Sequence, residues 1–221
     1  LKQHIEVPYV FHSKQCGIEI KRFNDGVWYQ RELVVPDAWQ DKRLLLHFGA
    51  VDYHCWVYIN HKLVGEHIGG HTSFSFDVTQ YVTFDNDLLT LKVFDPSTDE
   101  EIPRGKQYWQ EESAAIWYTR TTGIWQTVWL EAVDKKGYLE KVFYTSEFDR
   151  GSVEIAYHYA GDLADKELVT KIYYGEKRIV SDRQLLTEHQ FKRSYSLFNQ
   201  KIDRSDFHGS GWTWTPETPL L

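Results

Sequence analysis

Polar and apolar residues alternate along this chain with a period of two, and no stretch of twelve residues sustains the 3.6-residue period of an amphipathic helix. That pattern restricts the chain to strands that bury one face. Residues 27–35 (VWYQRELVV) read as a strand ended by Pro36-Asp37, and residues 43–48 (RLLLHF) as a short strand buried on both faces and closed by Gly49. Residues 56–64 read as a hairpin with Asn60 at the left-handed turn position. Further strands are expected over 73–78, 87–94 and 127–131. Short strands at this spacing, separated by Gly, Pro and Asn, define an all-β sandwich or barrel.

Residues 95–123 interrupt the rhythm. The stretch is long, polar and aromatic at once, and a structureless loop beyond about 12–15 residues in a compact domain is usually functional or disordered. Trp109, Trp117 and Tyr118 argue against disorder, so the loop is expected to be packed. A domain boundary falls at residues 133–137, where charge and Gly137 follow a finished strand. Beyond it, alternating runs over 138–146, 152–159, 167–174 and 191–198 predict a smaller, immunoglobulin-like sandwich. The turn-rich end, WTPETP at 214–219, should lead into another strand. The expected organisation is therefore 1–133 and 134–221, with the second sandwich truncated. A sandwich lacking a strand exposes an open edge, so weaker stability, loosening near 199–221 or homo-oligomer formation through that edge is expected.

Composition narrows the function classes. Net charge is −7, and no basic cluster exceeds two adjacent Lys or Arg, so no nucleic-acid partner is expected. No window of about 18 apolar residues exists, so no membrane span is expected. The two cysteines, Cys16 and Cys55, make no disulfide framework and are simplest as buried thiols in a reducing, cytoplasmic compartment. The chain contains no Met, which is expected of a piece of a longer protein. Its 35 aromatic residues supply core rings first, and also the flat faces that sugars stack on.

No nucleophile elbow, zinc-protease helix, Cys-x-x-Cys pair or phosphate-binding glycine loop occurs. His61, His67 and His71 lie close together around Gly69-Gly70, but this loop has no Cys and no paired carboxylate at ligand spacing, so they read as turn and surface residues and no metal or cofactor is expected. The acidic runs Asp99-Glu100-Glu101 and Glu111-Glu112 read as solvated, because adjacent loop carboxylates diverge instead of facing one another across a glycosidic bond.

Several ordered segments together closely resemble the sugar-binding domain of glycoside hydrolase family 2. They are WYQR at 28–31, LLHFGAVDY at 45–53, WVYIN at 56–60, GGHTSFSFDVT at 69–79, PRGKQ at 103–107 and YTRTTGIWQTVWLE at 118–131. IEVPY at 5–9 is similar to the family's opening segment, and WTPETP at 214–219 to a segment late in its immunoglobulin-like domain. The resemblance implies a galactose-binding-domain-like jelly-roll, then an immunoglobulin-like domain, then a (β/α)8 barrel carrying the two glutamates of a retaining mechanism. The barrel is absent from these residues, as is the family's catalytic Asn-Glu pair.

The resemblance also implies a substrate-facing role for Asp95, which matches the position of an acid in β-galactosidases. Arg104 and Gln107 are candidate sugar-hydroxyl ligands beside it. The alternative for Arg104 and Gln107 is that they tie the loop to its own backbone. His71 stands where the family commonly has Tyr, and Trp117 where β-glucuronidases have a substrate-contacting Asp. The expected function is the non-catalytic, N-terminal part of a retaining, β-galactosidase-like enzyme, packed on its own barrel and partnered with a carbohydrate. The rivals are a stand-alone carbohydrate-binding module and a structural spacer.

Overall fold

The computed structural model describes residues 2–197 and Pro216. The chain divides into two compact units, Leu1–Asp134 and Lys135–Leu221. Both are built from strands, and the only helical segments among the described residues are three short 3-10 turns. The expected loosening near 199–221 and the WTPETP segment fall outside the described residues, Pro216 apart.

The first unit contains β1 (Gly26–Leu33), β2 (Lys42–Phe48), β3 (Val51–Asp52), β4 (His54–Ile59), β5 (Lys62–Ile68), β6 (Phe74–Asp77), β7 (Asp87–Phe94), β8 (Gly123–Ile124) and β9 (Val128–Asp134). Two antiparallel sheets, ordered β1-β7-β4-β5 and β6-β2-β9, face each other, and β3 and β8 form a third, two-residue ladder. Alternation explains the core: Leu89, Leu91 and Val93 of β7, Cys55, Val57 and Ile59 of β4, and Leu44, Leu46 and Phe48 of β2 point inward together. Fully burying such side chains contributes about 1.5–3 kcal/mol each.

Strand β2 departs from the expected double burial. Leu44, Leu46 and Phe48 are buried, whereas Leu45 and His47 are only half-buried. The outer face of β2 is covered by one ring, since His47 stacks on Trp129 at 4.7 Å with an interplanar angle of 6°. A run of three leucines thus hides an ordinary one-sided strand.

The β4–β5 hairpin turns at Asn60 (φ 50°) and His61 (φ 64°), both left-handed. Asn60 also holds the core's far end: its Nδ2 donates to the Tyr81 carbonyl (3.1 Å) and to Asp87 Oδ1 (2.6 Å), and its Oδ1 accepts from the Leu88 amide (2.9 Å). Burial alone would raise the Asp87 carboxyl, but hydrogen bonds from Asn60, Thr83 and Phe84 outweigh it and hold the group below its ordinary range.

The second unit contains β10 (Gly137–Glu147), β11 (Ser152–Gly161), β12 (Glu167–Tyr174), β13 (Lys177–Leu185) and β14 (Gln190–Ser196), in a three-stranded sheet β10-β11-β14 and a two-stranded sheet β12-β13. Ile155, Tyr157 and Tyr195 form its core, with Leu168, Ile172, Val180 and Phe191 packed against them. Strand β13 was not anticipated. Asp182 and Gln184, both only partly exposed, stand where an apolar residue would have revealed the period.

Candidate functional site

Three chain segments converge where β7 ends and β8 begins. Asp95 follows β7 directly, Asp52 closes β3, and Arg120-Thr121-Thr122 lead into β8. The long loop between Asp95 and Arg120 is irregular but anchored. The Tyr108 amide donates to the Tyr118 carbonyl (2.8 Å) and the Tyr118 amide to the Lys106 carbonyl (2.8 Å), which lays Gln107 beside Tyr118 in a parallel bridge. Tyr108, Trp109 and Trp117 cluster on it, with ring centroids of Trp109 and Trp117 5.0 Å apart. The expected packing of this loop is therefore partly self-packing, and Trp109, Ile116 and Tyr118 stay exposed.

A shallow recess, open to solvent, is lined by Asp52, Asp95, Arg104, Gln107, Tyr108 and Arg120, together with Pro96, Ile102 and Pro103. All three residues singled out from the sequence line it. Asp95 is buried, and its Oδ2 accepts from Arg120 Nε (3.1 Å) and from the Thr122 hydroxyl (2.5 Å). The guanidinium also donates to the Asp95 carbonyl. Gln107 bridges two walls: its Nε2 donates to Asp52 Oδ2 (2.9 Å), and its Oε1 accepts from the Thr121 amide (2.8 Å). Arg104 donates to the Ser97 carbonyl (2.9 Å) and the Asp99 carbonyl (2.6 Å), bracing its own loop.

Sequence reasoning assigned no role to Asp52, Arg120, Thr121 or Thr122, which hold the candidate residues in place. Asp52 lies against the turn after β5. Gly69 takes φ 124°, and Gly70 approaches so closely that a Cβ there would overlap the Asp52 carboxylate. The glycine pair thus does more than bend the chain. Burial pushes the Asp52 carboxyl above its ordinary range and the Asp95 charge adds to this, while hydrogen bonds from Gln107 and Thr121 act in the opposite direction.

The other candidate clusters resolve differently. His67 stacks on Phe74 at 4.0 Å and contacts the Thr72 hydroxyl at 3.2 Å, His71 meets the edge of Trp125, and His61 is exposed in the hairpin turn. Glu112 is exposed and pairs with Lys21 at 3.3 Å, and Asp99 caps the Glu101 amide at 2.9 Å. Cys16 and Cys55 are free and buried.

Fold and recess together define a jelly-roll β-sandwich domain with a polar depression where its strands end. Residues 5–133 match the family model described as glycosyl hydrolases family 2, sugar binding domain, and the chain belongs to that family. It is 26% identical over 199 residues to the β-galactosidase of Thermoanaerobacter pseudethanolicus, covering 88% of this chain and 25% of that enzyme. It is 37% identical over 79 residues to the β-glucuronidase of Rattus norvegicus, covering 34% and 12% respectively. The solved Bacteroides uniformis β-glucuronidase superposes with a TM-score of 0.60 at 25% identity, over 78% of this chain and 21% of that one. The β-glucuronidase of Bifidobacterium dentium complexed with coumarin-3-O-glucuronide shares the fold, with a TM-score of 0.64 at 19% identity over 87% and 37%. The chain spans about a quarter or less of the length of these curated relatives.

Proposed function

We propose that this chain is the N-terminal, non-catalytic part of a retaining, β-galactosidase-like glycoside hydrolase, and that its recess edges the sugar-binding site of the whole enzyme. The observation that carries this reading is the Gln107 bridge. An amide clamped between Asp52 and the Thr121 amide, next to the Asp95–Arg120 pair, is a rigid array of donors and acceptors at the rim of an open depression. Such an array suits sugar hydroxyls, and a site built to bond a hydroxyl rejects ligands that lack it. The two acids in the recess are spent on Gln107, Thr121, Thr122 and Arg120, so bond cleavage is assigned to a carboxylate pair on a barrel outside these residues.

The galactosidase reading is preferred over the glucuronidase reading because Trp117 stands where the resemblance to β-glucuronidases puts an aspartate, and it is packed against Trp109. The match to a β-galactosidase also runs over 88% of the chain. The test is kinetic. In the full-length enzyme, Gln107→Ala should lower kcat/KM for nitrophenyl β-galactoside at least tenfold per folded molecule, beyond any loss of stability from leaving Asp52 and the Thr121 amide without their partner. Unchanged kinetics removes the reading. Lowered stability with normal turnover per folded molecule assigns the recess to a spacer.

A further inference from the structure

A second surface lies on the opposite side of β1, β7 and β4 from the core. Inward positions alternate with Trp28 and Gln30 of β1, Thr90 and Lys92 of β7, and Trp56 and Tyr58 of β4, which all point outward. The register sets them in two rows across the sheet, Trp28–Lys92–Trp56 and Gln30–Thr90–Tyr58. Trp28 is 64% exposed, and its ring lies near-parallel to that of Tyr58, with centroids 6.4 Å apart and planes 25° apart. Trp56 is already engaged, with Lys92 Nζ 4.5 Å from its ring centre and the His54 ring at 3.7 Å. The open aromatic platform is therefore Trp28 with Tyr58, flanked by the Gln30 amide and the Lys92 ammonium.

We propose that this sheet face binds a neutral glycan, one pyranose ring lying on Trp28 and Tyr58 with its hydroxyls bonded by Gln30 and Lys92. The proposal rests on the sugar-binding family but not on the recess, since none of these residues lines it. Charge selects the occupant. The face carries the carboxylates of Glu32 and Glu66 against one ammonium, Lys92, in a chain of net charge −7, so a polyanion is repelled and an uncharged hydroxyl-rich ligand is not. Polarity distribution points away from a second copy of the chain. Protein interfaces have an apolar centre and a polar rim. Here the polar residues Thr90 and Lys92 of β7 lie in the middle, and the exposed apolar side chains Leu63 and Ile68 on the edge strand β5 and Phe94 at the end of β7 sit at the periphery. Flat aromatic faces beside amide and ammonium donors match the two surfaces of a pyranose, its C–H face and its hydroxyl edge.

The test is affinity electrophoresis of the 221-residue chain through gels containing neutral β-glucan, xylan or galactan, with polygalacturonate as the anionic comparison. At least one neutral polysaccharide should retard the chain. Trp28→Thr and Tyr58→Thr, both keeping a strand-forming residue, should each weaken retardation at least tenfold. Tyr144→Thr, at a 71% exposed aromatic of the second unit, should leave it unchanged. The two face variants are read independently, so misfolding of one leaves the other decisive. No retardation by any neutral polysaccharide overturns the proposal. So do retardation that survives both face variants, retardation by polygalacturonate alone, and self-association in sedimentation that Trp28→Thr abolishes without any glycan effect.

Discussion

The two units solve the problem of a β-sandwich core with different chemistry. Among the described residues the first unit closes around thirteen buried apolar side chains, nearly all aliphatic. The second closes around three, and two of these are tyrosines whose hydroxyls are tied. Tyr157 meets the Thr170 hydroxyl at 2.8 Å, and Tyr195 donates to Asp182 Oδ2 at 3.0 Å. A core of aliphatic area is tolerant of orientation and allows polar groups to be gathered elsewhere, as in the recess. A core of hydrogen-bonded rings is directional and holds its sheets by specific pairs. The contrast assigns the first unit to apolar burial and the second to fewer, individually placed bonds.

The harshest way to break that contrast is a cavity in the first unit. Phe48 is fully buried and stacks on Phe74 at 4.9 Å. Phe48→Ala should cost about 3–5 kcal/mol, read as a shift of the urea transition followed by tryptophan fluorescence. Seven of the nine tryptophans of the chain lie within residues 1–134, so the signal is weighted toward the first unit. Residue-resolved hydrogen exchange in 137–196 should stay near its wild-type level. A loss below about 1 kcal/mol, or an equal loss of protection in the second unit, ends the distinction.

Acid should separate the units next. His12 is buried, stacks on Phe11 at 4.0 Å, and neither ring nitrogen has a hydrogen-bond partner. Burial first, and then the Arg120 charge, lower its pKa from 6.5 to about 4. Between those values the unfolded chain binds a proton that the folded chain refuses, so stability falls as pH drops from about 6.5 to about 4 and then levels. The gap corresponds to about 3 kcal/mol. The second unit has no matching buried histidine among its described residues, so its protection should not follow this window. His12→Leu should flatten the pH dependence of the first unit over that interval. An undiminished slope in the variant assigns the acid sensitivity to the carboxylates instead.

What could be read in advance divides along the same physical line. Strands whose inward residues are apolar announced themselves through their period, as β1, β7 and β11 did, and Asn60 announced its turn because few residues accept a left-handed backbone. Strand β13 stayed hidden because Asp182 and Gln184 occupy inward positions, and the partners that explain Asp182, Tyr195 and Arg193 on β14, lie in another part of the sequence. The recess behaves alike. Asp95, Arg104 and Gln107 could be named from the resemblance, but Asp52 and Arg120 meet them across 55 and 25 positions of chain. Pairs at such separations leave no local pattern. Nor does any local pattern show that Arg104 spends its donors on Ser97 and Asp99 while Gln107, three residues on, reaches across to Asp52.

The smallest predicted effect is the sharpest test of a directional core. Tyr157→Phe removes one hydroxyl and leaves the ring, which stacks on Phe191 at 5.2 Å, in place. Apolar burial is therefore nearly unchanged, and what is lost is the bond to Thr170 that joins β11 to β12 across the sandwich. Thr170 is partly exposed and can turn its hydroxyl to water, so no buried group is abandoned and the cost should be about 1 kcal/mol. Tyr195→Phe should cost a similar amount, because Asp182 keeps Arg193 at 3.1 Å when the phenol is gone. Loss of hydrogen-exchange protection should be confined to 152–196, with residues 26–134 unaffected. If both variants leave exchange in the second unit unchanged, the tyrosine hydroxyls are passengers there, and its core rests on apolar area just as the first one does.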